Sequence, residues 1–496
     1  MNHFKPYALL PLLFAILFVS CEKEGTVDLI AVAQQYNGGS KVHVEISGNQ
    51  GYACWNVGDQ VKVNATTATI SLTTANDSTT ARINGIQKNN NGDYYAICPA
   101  SFAGSGAFSS GSTITLPSTQ KYRVVGDHQV LDAPMVAKAD GELVMKFVNL
   151  CYLLKVHIDQ CNNKLSSLTV STNNTPLCGT AQVTFVGTTP SLGSLSNGSN
   201  SVTLEMSTPV SLNKTGGTDF YIALPPMAVG TTLQITAKDM FGNTPQLSTA
   251  LSVSQAIPNN IIINVNGPTV SSNTEYTFYD WIWSKQSGYI DLGVKPAVGA
   301  KMELTFMIPT DNASALSAAQ YLCGSRDASV RWFSMEGGNG NASNGFAADV
   351  AGKQMKFQSS PNNFVPREAG VKYTMSVASS QVSGKIKGTA TLTNLSTGEI
   401  YNQTSGPSQY NDFPSNVPNV VLFAEMIPSG SENYYHKSMK CYSFKYYNGT
   451  NLVHNFVPCE RNNDHVVGVY DLAGSGGFIT PTRRNNTATA FQVGND

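Results

Sequence analysis

Period-two alternation is the feature that most limits what this chain can fold into. In residues 42–46 (VHVEI) apolar and polar side chains alternate, so an extended segment there buries one face and wets the other. The pattern returns in residues 62–69, 94–98 and 113–116, and runs of this kind recur along the chain between Gly, Asn, Ser, Thr and Pro. Helical periodicity is nearly absent; residues 314–320 (SALSAAQ) are the best helical candidate, and they span only about two turns. An all-β fold follows. The longest apolar stretch after residue 21, residues 142–158 (ELVMKFVNLCYLLKVHI), is rich in β-formers and long enough for two strands. Lys146, Asn149 and Lys155 interrupt it, which argues against a membrane helix.

A chain of 496 residues exceeds one ordinary core, so several domains are expected. Charged residues are 13% of the total and the net charge is −1. With no basic surplus to neutralise phosphates, nucleic acid is excluded as a partner. The polar segment 269–274 (TVSSNT) follows the Asn266-Gly267-Pro268 breaker and reads as a linker.

The N-terminus carries an apolar run over residues 7–19, too short for a comfortable membrane span and the right length for the core of an export signal. It ends in residues 17–21 (LFVSC), which resemble the lipobox of bacterial lipoproteins, with Phe18 where the preferred Leu is shifted by one. The resemblance implies that Cys21 is acylated and becomes the mature N-terminus, with the membrane as partner through that lipid. Glu22 and Glu24 resemble the export signals of Bacteroidetes surface lipoproteins, which implies the outer membrane's outer leaflet. The plainer alternative is a cleaved signal followed by a free cysteine; either way residues 1–20 stay outside the fold.

Eight cysteines remain after Cys21, and export permits disulfides. Proximity in sequence alone pairs Cys54 with Cys98, Cys161 with Cys178, and Cys441 with Cys459; buried free thiols are the alternative.

Residues 114–120 (ITLPSTQ), 134–137 (PMVA), 143–156 (LVMKFVNLCYLLKV) and 220–226 (FYIALPP), in that order behind a lipoprotein signal, resemble the fimbrillin family of Bacteroidetes surface proteins. The resemblance implies two transthyretin-like β-sandwiches, over residues 21–139 and 140–268, and fimbrial subunits as partners. Polymerising members are cleaved after an Arg near the N-terminus; the first Arg after Cys21 is Arg82, inside the module, which favours an anchor, accessory or non-fimbrial role. Beyond a linker at 269–275, residues 276–496 resemble concanavalin A-like, laminin-G-like jelly rolls. The resemblance rests on residues 288–293 (GYIDLG), 301–306 (KMELTF), 323–326 (CGSR), 440–445 (KCYSFK), 452–459 (LVHNFVPC) and 467–471 (VGVYD). It implies a module that binds a glycan or a surface protein, although some relatives of the fold are glycoside hydrolases. Calcium is compatible with such folds through an Asp and backbone oxygens, with no ligand assignable; no other cofactor is implied.

Catalytic signatures are absent from the linear sequence. No strand shows the E-x-D-x-x-E-like spacing that sets two carboxylates on one face, Glu425 and Glu432 flank a loop, and Asp291 and Glu303 fall on separate strands. His128, His436, His454 and His465 are scattered, and residues 474–477 (GSGG) are a turn with no helix behind it. Tyr279, Trp281 and Trp283 share one strand face and read as core. Trp332, Tyr434 and Tyr435 are the candidates for stacking on a sugar. Asp77-Ser78-Thr79 resembles the short O-glycosylation acceptor of Bacteroidetes, with Ser78 as acceptor in a polar loop. The expectation is a non-enzymatic surface lipoprotein: two sandwiches form a stalk, and the jelly roll recognises a glycan or surface protein. The rivals are a glycan-degrading enzyme with a jelly-roll catalytic domain and a structural fimbrial subunit.

Overall fold

The computed structural model describes residues 26–33, 43–47, 50–55, 58–74, 77–89, 91–125, 128–131, 133–140, 143–242, 250–284, 288–310, 321–327, 329–337, 345–360, 363–425, 434–435, 438–473, 476–483 and 491–496. Strands make up 62% of the described residues and no α-helix occurs among them, so the all-β expectation holds. Cys21 and residues 314–320 lie outside the described residues.

The first body closes on itself. Thr26–Ala33 pairs in parallel with Val144–Asn149 and antiparallel with Asp77–Gln87, which completes a seven-stranded circuit through Met135–Asp140, Asp93–Cys98, Gln60–Val63 and Thr66–Thr74. Closure leaves no open edge to recruit another chain. The core is seeded by Trp55 set edge-on to Phe147, with ring centroids 5.1 Å apart, among Val61, Ile83 and Met145.

The long apolar stretch does hold two strands, but they serve different bodies. Val144–Asn149 completes the first circuit; Tyr152–Ile158 is the centre of a three-stranded sheet between Thr218–Leu224 and Ile262–Asn266. Strands Ser112–Leu116 and Thr119–Lys121, from the first half, pair with Gly179–Val186 and Ser201–Ser211. The two bodies therefore exchange strands across residue 139, and a shared apolar cluster containing Phe108, Val136, Leu153 and Tyr221 cements them. One edge is protected without a strand. Gln129 both donates to Tyr221 O and accepts from Tyr221 N, and Gln120 does the same for Ala223, so two side-chain amides replace a neighbouring backbone.

The segment read as a linker is tied down. Asn163 donates to Ser271 O, and Val270 is buried in the second core. Asp280 accepts from Ser211 N, and Asn495 donates to Asn213 O, which joins the second body to the third.

The third body stacks an eleven-stranded sheet on a seven-stranded one. Ala300–Met307 alternates buried and half-buried residues along its whole length, with Met302, Leu304 and Phe306 pointing into the space between the sheets. The seven-stranded sheet runs Lys353–Lys356, Phe346–Val350, Arg331–Gly337, Tyr321–Arg326, Val420–Leu422, Gly288–Val294 and Thr482–Arg483.

Several sequence expectations change here. The thiols of Cys98, Cys161, Cys178, Cys441 and Cys459 are free and buried, so none of the three expected disulfides forms; the side chain of Cys54 lies outside the described residues. For the third pair the reason is topological. The hairpin of Met439–Asn448 and Asn451–Arg461 stays zipped only as far as Phe444 opposite Phe456. Trp281–Ser284 and Tyr276–Phe278 then wedge between its arms, placing Ile282 opposite Cys441 and Phe278 opposite Cys459. Trp281 and Trp283 are half-buried, while Ile282, between them, takes the core position; the Lys440 ammonium lies 3.8 Å from the Trp281 ring centre. Ser78 lies in the strand Asp77–Gln87 rather than a loop, and its side chain is outside the described residues.

Candidate functional site

The outward face of the seven-stranded sheet carries a cluster that no single stretch of sequence announces. Antiparallel register sets Ser334 opposite Asp349 and Tyr321 opposite Glu336. Phe333 and Met335 point into the core, so Ser334 and Glu336 point away from it. Phe423 interrupts the ladder with φ 71°, a left-handed conformation unusual for a bulky residue, and the short strand Ala424–Glu425 begins directly after it. That break delivers Glu425 to the same face.

Arg331 stands at the centre. Its Nε lies 3.0 Å from Glu336 Oε1 and 3.8 Å from Glu425 Oε2, and its Nη1 lies 3.8 Å from Asp349 Oδ2. Its Nη2 donates to the Tyr321 hydroxyl at 3.0 Å. Arg326 Nη1 reaches Glu425 Oε2 at 3.5 Å, and Gln354 Nε2 bridges Glu336 and Asp349 at 3.4 and 3.5 Å. Glu336 and Glu425 are 0% exposed and Asp349 3%, whereas the Arg331 side chain is 22% and the Arg326 side chain 15% exposed. The two arginine side chains are therefore partly exposed, with Arg331 Nε itself buried, and the carboxylates lie behind them.

Three carboxylates face two guanidiniums, so not all can ionise cheaply. Burial pushes the Glu336 carboxyl well above its usual range, helped by the charges of Asp349 and Glu425. Burial also raises Asp349, and it lifts Glu425 to about 7 against the pull of Arg331. Glu336 Oε1 and Glu425 Oε1 lack a hydrogen bond of normal geometry, although Ser334 Oγ stands beside Glu425. Buried acceptors in this state are costly, of order 1–3 kcal/mol each, until a donor reaches them.

The candidates singled out from sequence fare unequally. Trp332 is buried, donates through Nε1 to Asp327 Oδ2 at 2.9 Å and packs its ring on Tyr410 at 4.6 Å, so it offers no free face to a sugar. Tyr434 and Tyr435 form a short strand opposite Glu425 and Ala424, which brings their backbone to the cluster; their side chains lie outside the described residues. Asp291 accepts from Asn419 and from Gly293 N, a structural role for a turn. No single strand carries two of these carboxylates, as the spacing indicated; Glu336, Asp349 and Glu425 come from three strands that register brings together. Glu336 and Glu425 share the Arg331 Nε as neighbour at 3.0 and 3.8 Å, so their nearest oxygens are less than about 7 Å apart. Among the described residues no three His, Cys, Asp or Glu side chains are placed to share a metal ion. The missed signal was the polar residue at alternate positions of otherwise apolar strands, Glu336 after Phe333 and Met335, and Asp349 within Phe346–Val350.

No family model matches the chain, and no curated protein matches it. Among solved structures it is similar to a proposed cell adhesion protein from Bacteroides uniformis, at 15% identity and TM-score 0.30, over 51% of this chain and 98% of that one. A second similar structure, a proposed cell adhesion protein from Bacteroides ovatus, aligns at 12% identity and TM-score 0.27 over 50% of this chain and 99% of that one. Likeness at this level does not carry those proteins' roles over to this chain.

Proposed function

We propose that the chain is a non-enzymatic recognition protein of the cell surface, held to the outer membrane by a lipid on Cys21, and that its third body engages a glycan on the outward face of the seven-stranded sheet. The observation that supports this reading is the Arg331 cluster: two partly exposed arginine side chains are oriented by carboxylates buried behind them. A hydroxyl-rich ligand suits such a site, because its hydroxyls accept from guanidiniums that the buried carboxylates hold in place. The test is a glycan array probed with the intact chain. Retention of a defined glycan set supports the reading; silence on glycans with capture of a surface protein, or of fimbrial subunits, replaces the ligand class. Anchorage is tested by Cys21→Ala, which should release the protein from membranes.

A hydrolytic reading has one observation behind it. Glu336 and Glu425 are close enough for paired-carboxylate chemistry, and Glu425, at about 7, lies in the range of a general acid. Both carboxylates are fully buried, however, and Arg331 Nε lies between them, 3.0 and 3.8 Å from their oxygens. Incubation with array-positive glycans should therefore release no reducing ends between pH 5 and 8; release that Glu425→Gln abolishes would establish the enzyme instead.

A further inference from the structure

The outer face of the three-stranded sheet in the second body changes character along its length. Register sets Leu153, Ala223 and Ile262 in one row, Lys155, Tyr221 and Asn264 in the next, and His157, Asp219 and Asn266 in the last. The first row and Tyr221 are covered by the apolar cluster shared with the first body. Beyond that cluster the face opens as a cleft of about 450 Å³ lined by Lys155, His157, Asp219, Asn264, Val265 and Asn266. That volume lies in the usual range of small-ligand sites.

The cleft is built rather than incidental. Lys155 Nζ lies 2.8 Å from Asp219 Oδ2, and His157 donates through Nδ1 to Asp219 Oδ1 at 2.8 Å. Both partners hold the Asp219 carboxyl below its usual range against the effect of partial burial. Backbone closes on one side of the imidazole: a Cβ at Gly217, which has φ 80°, would stand 2.7 Å from His157 Cε1. Asn264 and Asn266, two apart on the edge strand Ile262–Asn266, make no side-chain hydrogen bond to any described residue. Neither amide's two donors nor its acceptor is taken up by a described residue.

We propose that this cleft is a second binding site, separate from the jelly roll, for an uncharged saccharide. Charge argues against an anion. Lys155 is already matched by Asp219, and Asp159 Oδ1 lies 3.7 Å from His157 Nε2, so the cleft has no positive surplus. What it offers is a close-set mixture of donors and acceptors on two rigid strands, which suits the paired hydroxyls of a sugar ring and would leave an apolar ligand with unmet polar groups.

Saturation-transfer NMR on the intact chain tests this, with the methyl glycosides of glucose, galactose, mannose and N-acetylglucosamine as probes. At least one should receive transfer. Asn264→Ala with Asn266→Ala should weaken its binding about tenfold, as expected for two lost hydrogen bonds, with an unchanged unfolding midpoint. Lys121→Ala, which breaks an exposed ion pair with Glu205 on the other sheet of the second body, should leave the transfer unchanged. Absence of transfer to all four probes, full transfer in the double variant, or stronger binding of glucuronate than of methyl glucoside would each overturn the proposal.

Discussion

Replacing Arg331 with Met keeps most of the side chain's length and removes its charge. Glu336, 0% exposed, then loses its nearest cation, and Glu425, also 0% exposed, loses one of the two guanidiniums that reach it and keeps Arg326 at 3.5 Å. Stranding buried carboxylates in this way costs about 3–5 kcal/mol when they are ionised. The cost is escapable, because a carboxylate can take up a proton. Glu425 in the intact protein already titrates near 7, above the ordinary 4.5, so its contribution to stability is complete below about 4.5 and fades as pH rises through 7. Without Arg331 the same carboxyls bind protons still more tightly. The variant should therefore lose about 3–5 kcal/mol at pH 8 and distinctly less at pH 5, the gap narrowing by about 1.4 kcal/mol per pH unit for each extra proton bound. Urea unfolding followed by tryptophan fluorescence is the assay. Of the four tryptophans, Trp281, Trp283 and Trp332 lie in the third body, so Trp55→Phe makes the signal specific to it. A loss below about 1 kcal/mol at pH 8, or an equal loss at both pH values, would refute the view that Arg331 neutralises ionised buried carboxylates.

Gln129→Ala strips both partners from the Tyr221 backbone and should destabilise the second body by about 1–3 kcal/mol, with faster amide exchange at Tyr221. Gly198→Ala should prevent the second body from folding normally, since a Cβ there would come close enough to Cys178 O and Gly179 Cα to force the backbone apart; native-like circular dichroism and melting would contradict this. Non-reducing peptide mapping should recover Cys161, Cys178, Cys441 and Cys459 as thiols that react with maleimide only after unfolding; a peptide linking Cys441 to Cys459 would contradict the strand wedge between them.

Strands were legible where one face is buried and the other is not. The alternation in Ala300–Met307 and Val144–Asn149 appears in the sequence as it appears in burial. Pairing was not legible, because it depends on which distant segment supplies the next strand. The stretch 142–158 shows two strands in sequence and gives no sign that they belong to different bodies. The expected pairing of Cys441 with Cys459 fits a continuous hairpin and fails only because residues 276–284 insert between its arms. The Arg331 cluster was hidden for the same reason: Glu336, Asp349 and Glu425 become neighbours through register and through the left-handed break at Phe423, neither of which has a local signature beyond an acidic residue in an apolar strand.

The most direct measurement is the equilibrium affinity of the intact chain for its best array glycan, by calorimetry, beside the Arg326→Ala/Gln354→Ala variant. Recognition through the seven-stranded face requires binding that weakens at least tenfold in the variant, about 1.4 kcal/mol, with the variant still folded by circular dichroism. Undiminished affinity in the variant, or a wild-type chain that retains no glycan, would contradict it.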